Sequence, residues 1–100
     1  MKEIIANLNK DFENRIRLGI MSILVVNEWV EFNSVKSLLD LTDGNLASHV
    51  SSLEKTGYLE VKKEFVGKKP RTTYRVTAAG RIAFEDHLNA LEKLLNSRQQ

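Results

Sequence analysis

Seven cations crowd one short stretch of this chain. Between residues 55 and 75, Lys55, Lys62, Lys63, Lys68, Lys69, Arg71 and Arg75 face only Glu60 and Glu64, a local balance of seven minus two, or +5. Charge at that density attracts a polyanion more than it serves general solubility. In "GKKPRTTY", residues 67–74, Gly67 and Pro70 would shape a tight tip holding Lys68, Lys69 and Arg71 together, with Lys62, Lys63 and Arg75 extending the charge behind it. Just upstream, Gly44, Asn45, Ser48, His49, Ser51, Ser52 and Lys55 supply small polar groups at close spacing. An Asn amide can pair with a base edge, and serine hydroxyls can donate to or accept from bases and phosphates. A glycine at a helix start lets a phosphate approach the free N–H groups there.

Catalytic and metal chemistry have little to work with. The sequence has no phosphate-binding glycine loop, no zinc-type cluster and no local Ser, His and Asp grouping. His49 and His87 fall far apart, and His87 with Glu85 or Asp86 is poorly spaced on a helix for a metal, so it reads as a surface or interface histidine. RNA binding is a weaker option, since Tyr58 and Tyr74 are as well explained by strand packing as by a stacking platform for bases. Neither enzymatic activity nor a cofactor is expected. Cysteine is absent, which excludes disulfides and thiolate ligands and fits a reducing compartment.

The 100 residues suffice for one domain, 1–100, with a modest core. The longest uncharged run, Leu18 to Asn27, is about half a membrane span, and "MKEIIANLNKDF" lacks the apolar stretch of a secretory signal. A cytoplasmic protein with no membrane partner is expected. Residues 1–50 hold five Lys/Arg against seven Asp/Glu, whereas residues 51–100 hold ten against six, so the basic excess belongs to the second half.

Several elements must position these groups. Phe12, Ile16, Ile20, Ile23 and Leu24 recur at helical spacing from Phe12 to about Val26, and Leu18, Met21 and Val25 form a second stripe opposite them. That second side is expected to meet another chain. "VEF", residues 30–32, suits a short strand, with Asn33 and Ser34 as caps of a short helix through Val35, Leu38 and Leu39. Thr42 is a good N-cap for the helix "DGNLASHVSSLEKT", which Gly57 would close in a left-handed C-terminal cap. Leu46, Val50 and Leu53 turned inward would aim Gly44, Asn45, Ser48, Ser51, Ser52 and Lys55 outward, with His49 at the margin. The period then falls to two through Leu59, Val61 and Phe65 and again through Tyr74 and Val76, a hairpin with a basic tip. Thr77 caps a last helix whose Phe84, Leu88, Leu91 and Leu95 are spaced like a coiled-coil seam.

Helix, strand, two helices, hairpin, helix is the order of a winged helix. The segment "LTDGNLASHVSSLEKTGYLEVKKEFVGKKPRTTYRVTAAG" closely resembles the small single-domain winged-helix transcriptional regulators related to the MarR and ArsR groups, and the likeness extends from "RIRLGIMSIL" through "RIAFEDHLNALEKLL". The resemblance implies an α+β, mainly α fold. It comprises a helix-turn-helix over about 33–56, a wing over about 58–76 in a two- to three-stranded antiparallel sheet, and long terminal helices that pair subunits, the C-terminal one over about 77–97. It implies a homodimer on double-stranded DNA, with the second helix of the motif in the major groove and the wing on the flanking backbone. Carried onto this chain, the DNA contacts fall to Ser34, Lys36, Thr42, Gly44, Asn45, Ser48, His49, Ser52, Lys55, Lys68, Lys69, Arg71 and Thr73. The dimer surface falls to Phe12, Ile16, Ile20, Phe84, Leu88, Leu91 and Leu95, a set that periodicity alone does not divide from the core. Relatives often carry basic residues near positions 51 and 52, where this chain has serines, which shifts phosphate attraction to the wing. A two-fold dimer would want an inverted-repeat operator, and the resemblance leaves room for a small-molecule effector between the terminal helices. The competing reading is a winged-helix interaction module whose basic wing binds an acidic protein.

Overall fold

Side-chain caps decide where three of the helices begin. In the computed structural model, which describes residues 1–97, the Asn14 side chain accepts from the Ile16 and Arg17 N–H groups at 2.9 and 3.1 Å and starts helix α2, Arg15–Leu24. Thr42 Oγ1 accepts from Asn45 N–H at 3.2 Å and starts α4, Asp43–Thr56. Thr77 Oγ1 accepts from Gly80 N–H at 2.9 Å and starts α5, Ala78–Ser97. Each cap satisfies a donor that the first turn leaves without a helical acceptor. Ahead of α2 lie a five-residue helix α1, Lys2–Ala6, and a 3₁₀ turn at Lys10–Phe12. The single helix expected from Phe12 to Val26 is therefore broken at Asn14. Helix α3, Phe32–Leu39, starts without a side-chain cap; Glu31 holds the N-cap position, and Asn33 and Ser34, expected as caps, lie inside the first turn.

Two of the helices end in left-handed caps. Gly57 closes α4 at φ 91°. Asp40 closes α3 at φ 52°, with Leu41 N–H donating to Lys36 O and Asp40 N–H to Ser37 O, the paired bonds of a Schellman cap. Three residues then separate α3 from α4, which is the tight turn of a helix-turn-helix.

Strands β1, Val30–Glu31, β2, Leu59–Val66, and β3, Lys69–Val76, form one antiparallel sheet in the order β1-β3-β2. Val66 pairs with Lys69 across a two-residue turn in which Gly67 takes φ 66°, the arrangement of a II′ turn. Pro70 is tolerated in β3 because β1 reaches only Thr73 and Tyr74, leaving that edge open farther out.

Helix α2 packs against α3, α4, β3 and the 3₁₀ turn of its own chain. Met21 is fully buried, and Leu18 and Val25 pack against the core, so the second stripe of α2 is covered within the protomer rather than by another chain. Phe12 occupies the centre of an aromatic group, its ring centroid 5.4 Å from Tyr58, 5.3 Å from Phe84 and 5.6 Å from His87. Burying each such large side chain contributes about 2 kcal/mol. The result is the mainly helical α+β fold with a three-stranded sheet that the sequence implies.

His87 is neither the surface nor the interface histidine expected: it is 3 % exposed within its own chain, and its Nδ1 accepts from Asn9 N–H at 3.0 Å. Burial lowers its pKa from 6.5, with Glu13 opposing that shift. His49 is lowered too, by burial first and then by Arg17. Unfolding therefore takes up protons near and below pH 6.5, so the stability these groups confer is present above that value and is lost as pH falls through the folded-state pKa. The thermal midpoint is expected to be lower near pH 5 than near pH 7.5. His87→Asn, which keeps an acceptor near Nδ1 without titrating, should remove part of that loss; an unchanged pH dependence in the variant would refute the role.

Candidate nucleic-acid interface

The inward turn of Leu46, Val50 and Leu53 is confirmed by their burial, and it fixes the outer side of α4. Gly44, Asn45, Ser48 and Lys55 are exposed there, and Ser52 and His49 are half-buried on its flank. The backbone of Asn45 is used in the Thr42 cap, while its side-chain amide has no partner among the described residues. Thr42 is exposed, but its hydroxyl serves the cap. Gly44 has open space where a side chain would stand, so the surface beside it is free for a close approach. Ser34 is exposed on α3; Lys36 pairs with Asp43 at 2.7 Å, two partly exposed groups whose attraction contributes little and exchanges readily.

The hairpin sorts its charges. Lys68 and Lys69 stand exposed at the turn with no carboxylate partner among the described residues. Arg71 reaches Glu31 at 3.2 Å, and Arg75 reaches Glu60 at 2.7 Å. Lys62 lies 4.4 Å and Arg75 4.6 Å from the centre of the Trp29 ring, so an aromatic face steadies two cations behind the tip. Thr73 must be removed from the contact set. It sits in the central strand between Glu31 of β1 and Lys62 of β2, it is 1 % exposed, and no DNA atom could reach its hydroxyl. Its Oγ1 is buried without a partner.

The candidate dimer residues also divide. Phe12, Ile20 and Phe84 are buried in the protomer's own core and are not available to a second chain, which corrects their assignment; Ile16 is partly buried against that core. Leu88, Leu91 and Leu95 remain 44, 37 and 57 % exposed along α5, with Ile5 of the adjoining α1 exposed as well. The groove between the N-terminal segment and α5, the room the resemblance leaves for an effector, is lined by Asn7, Asp86, Asn89, Ala90 and Lys93 and holds about 260 Å³.

Arg15 was missed from sequence. It is exposed in the first turn of α2 and shares a groove of about 550 Å³ with Asn45, Asp40 and Leu41, which brings a cation to the start of α4. Asn14 as a capping residue was the available signal. Arg17, whose Nε–H donates to His49 Nδ1 at 3.1 Å, had no sequence signal, because the contact joins residues on different helices.

A family model described as a winged helix DNA-binding domain matches residues 16–95. An uncharacterized protein of Methanocaldococcus jannaschii is 36 % identical over 85 residues, covering 85 % of this chain and 92 % of the relative. The structure of a transcriptional regulator homologue from Pyrococcus horikoshii superposes with a TM-score of 0.85 at 31 % identity, covering 99 % of this chain and 96 % of that one. A MarR-family transcriptional regulator from Silicibacter pomeroyi shares the fold at 15 % identity and a TM-score of 0.68, over all of this chain and 69 % of its own.

Proposed function

The chain belongs to the winged helix DNA-binding domain family, and on that premise we propose that it is a sequence-specific transcriptional regulator acting as a homodimer in the cytoplasm. In this reading α4 enters the major groove and the hairpin tip grips the flanking backbone. The observation that carries it is adjacency: Ala47, Ser51 and Glu54 of α4 and Lys63 of β2 border one groove of about 430 Å³, so the exposed side of α4 and the basic hairpin share one surface. Small polar groups without partners suit base edges, and exposed cations suit phosphates. A two-fold dimer would set its recognition helices about one DNA turn, roughly 34 Å, apart, so the operator is an inverted repeat. Selection of bound sequences from a random duplex pool tests this. An enriched palindrome bound by two chains supports it, and a footprint on one unpaired half-site by a monomer counts against it.

The exposed apolar line Leu88, Leu91 and Leu95 supports pairing through α5. Each leucine is already about half covered, so its burial by a partner contributes about 1 kcal/mol, and each occurs twice in a symmetric pair. Replacing Leu91 and Leu95 with glutamate is expected to raise the dimer dissociation constant at least about a hundredfold, read by sedimentation equilibrium at micromolar protein. A wild-type chain that sediments as a monomer would sink the dimer.

A further inference from the structure

His49 is held as a neutral hydrogen-bond donor on the flank of α4. Arg17 Nε–H donates to its Nδ1 at 3.1 Å, and Arg17 Nη1–H donates in turn to Asp11 Oδ1 at 3.0 Å. A ring nitrogen that accepts a hydrogen bond carries no proton, so the ring's one N–H lies on Nε2. Nε2 has no partner among the described residues and, on a half-buried side chain, is not sealed from solvent. The same helix flank carries Asn45 four residues before and Ser52 three residues after, the spacing of one face. Arg17 of α2 and, behind it, Asp11 of the 3₁₀ turn are the charged groups in this relay. Asp11 occupies the guanidinium while Arg17 occupies Nδ1, which leaves one N–H donor with no net charge on this flank.

Resting on the DNA-regulator reading, we propose that His49 is a specificity-determining residue, donating Nε2–H to one base-edge acceptor in each half-site, and that Arg17, anchored by Asp11, is the positioning residue that fixes its tautomer and aim. Candidate acceptors are N7 of a purine, O6 of guanine and O4 of thymine. A neutral donor adds discrimination without releasing a counterion, so its loss changes which bases are preferred and leaves the salt dependence alone. Without Arg17 the ring is free to turn and to gain a proton near phosphates. Its contact then becomes charged and dependent on pH.

The test is selection from a random duplex pool, followed by titration of the best sequence with wild type, H49A and R17M near pH 6 and pH 8 and at two salt concentrations. Expected are enrichment by wild type, and for H49A about a tenfold loss of affinity with relaxed preference at one base pair per half-site and an unchanged salt slope. R17M should bind more tightly near pH 6 than near pH 8, beyond any such difference in wild type, with a steeper salt slope at the lower pH. Enrichment by wild type with the same base preference in H49A would overturn the assignment and leave the regulator reading standing. So would a reduced salt slope in H49A, or a wild-type pH response in R17M. No enrichment by wild type would overturn both together.

Discussion

Replacing Lys68, Lys69 and Arg71 with alanine is expected to weaken operator binding at least about a hundredfold near 0.1 M salt while leaving the fold and the order of preferred sequences intact. Each phosphate neutralised on duplex DNA contributes about 0.9 to the slope of log affinity against log salt, which near 0.1 M amounts to roughly tenfold in affinity. Lys68 and Lys69 are exposed at the turn without carboxylate partners among the described residues, and Arg71 leaves only a half-exposed pair with Glu31 when it turns to DNA. Loss of as few as two contacts across a dimer gives the hundredfold effect and lowers the slope by about two. Surface charges of this kind change stability by less than about 0.5 kcal/mol, so the thermal midpoint should hold. The three side chains carry no base information, so the selected sequence should not change. If wild type never binds DNA and the triple variant instead loses an acidic protein partner, the interaction-module reading replaces this one. Unchanged DNA affinity in the variant would remove the wing from the interface.

Why the elements carrying the candidate site were largely legible in sequence, and where they were not, follows from particular residues. The hairpin was legible because Leu59, Val61, Tyr74 and Val76 alternate around a Gly-Lys turn, and alternation together with turn chemistry is local. Thr42, Gly57 and Thr77 were legible for the same reason: a cap acts within one turn of helix. Asn14 carries no such signal in the apolar pattern, because Phe12 and Ile16, four apart, have the spacing of one helical face although the helix starts between them. Helix α1 has five residues and buries none of them, which leaves no apolar pattern to find. Apolar periodicity marks a face that needs cover without saying what covers it. Phe84 and Leu88 share one seam, yet the first is sealed by Phe12 of the same chain and the second is open. Thr73 and His87 were misjudged because their burial depends on strands and segments distant in sequence.

Gly80→Ala is expected to cost about 3 kcal/mol of stability and to lower the thermal midpoint on the order of 10–20 °C. Helix propensity points the other way, since alanine in a helix interior gains about 1 kcal/mol over glycine. Sterics decide the sign. A methyl group at Gly80 would overlap the Tyr58 carbonyl oxygen and stand 2.9 Å from its carbon and 3.0 Å from its Cα, all backbone atoms. Tyr58 has little freedom to retreat: its N–H donates to Leu53 O at 2.9 Å, and its carbonyl accepts from Thr77 N–H at 3.0 Å. Thr77 Oγ1, besides accepting from Gly80 N–H, donates to Gly57 O at 2.6 Å. The end of α4, the start of β2 and the start of α5 are thus stitched at one point. Relief requires α5 to tilt away, which breaks the Thr77 bond and opens the contact between Phe84 and Phe12. Gly44→Ala is the matched control, because nothing beyond its own turn of helix lies within 4 Å of its added methyl; that variant should keep or slightly raise its midpoint while weakening DNA binding. A Gly80→Ala chain that melts with wild type would show that the junction yields. Because α5 carries the exposed leucine line while α4 carries the polar face, the same tilt would change the angle between two recognition helices in a dimer. The Gly80→Ala protein that remains folded should therefore bind a palindrome more weakly than its folded fraction accounts for, and an isolated half-site nearly as well as wild type.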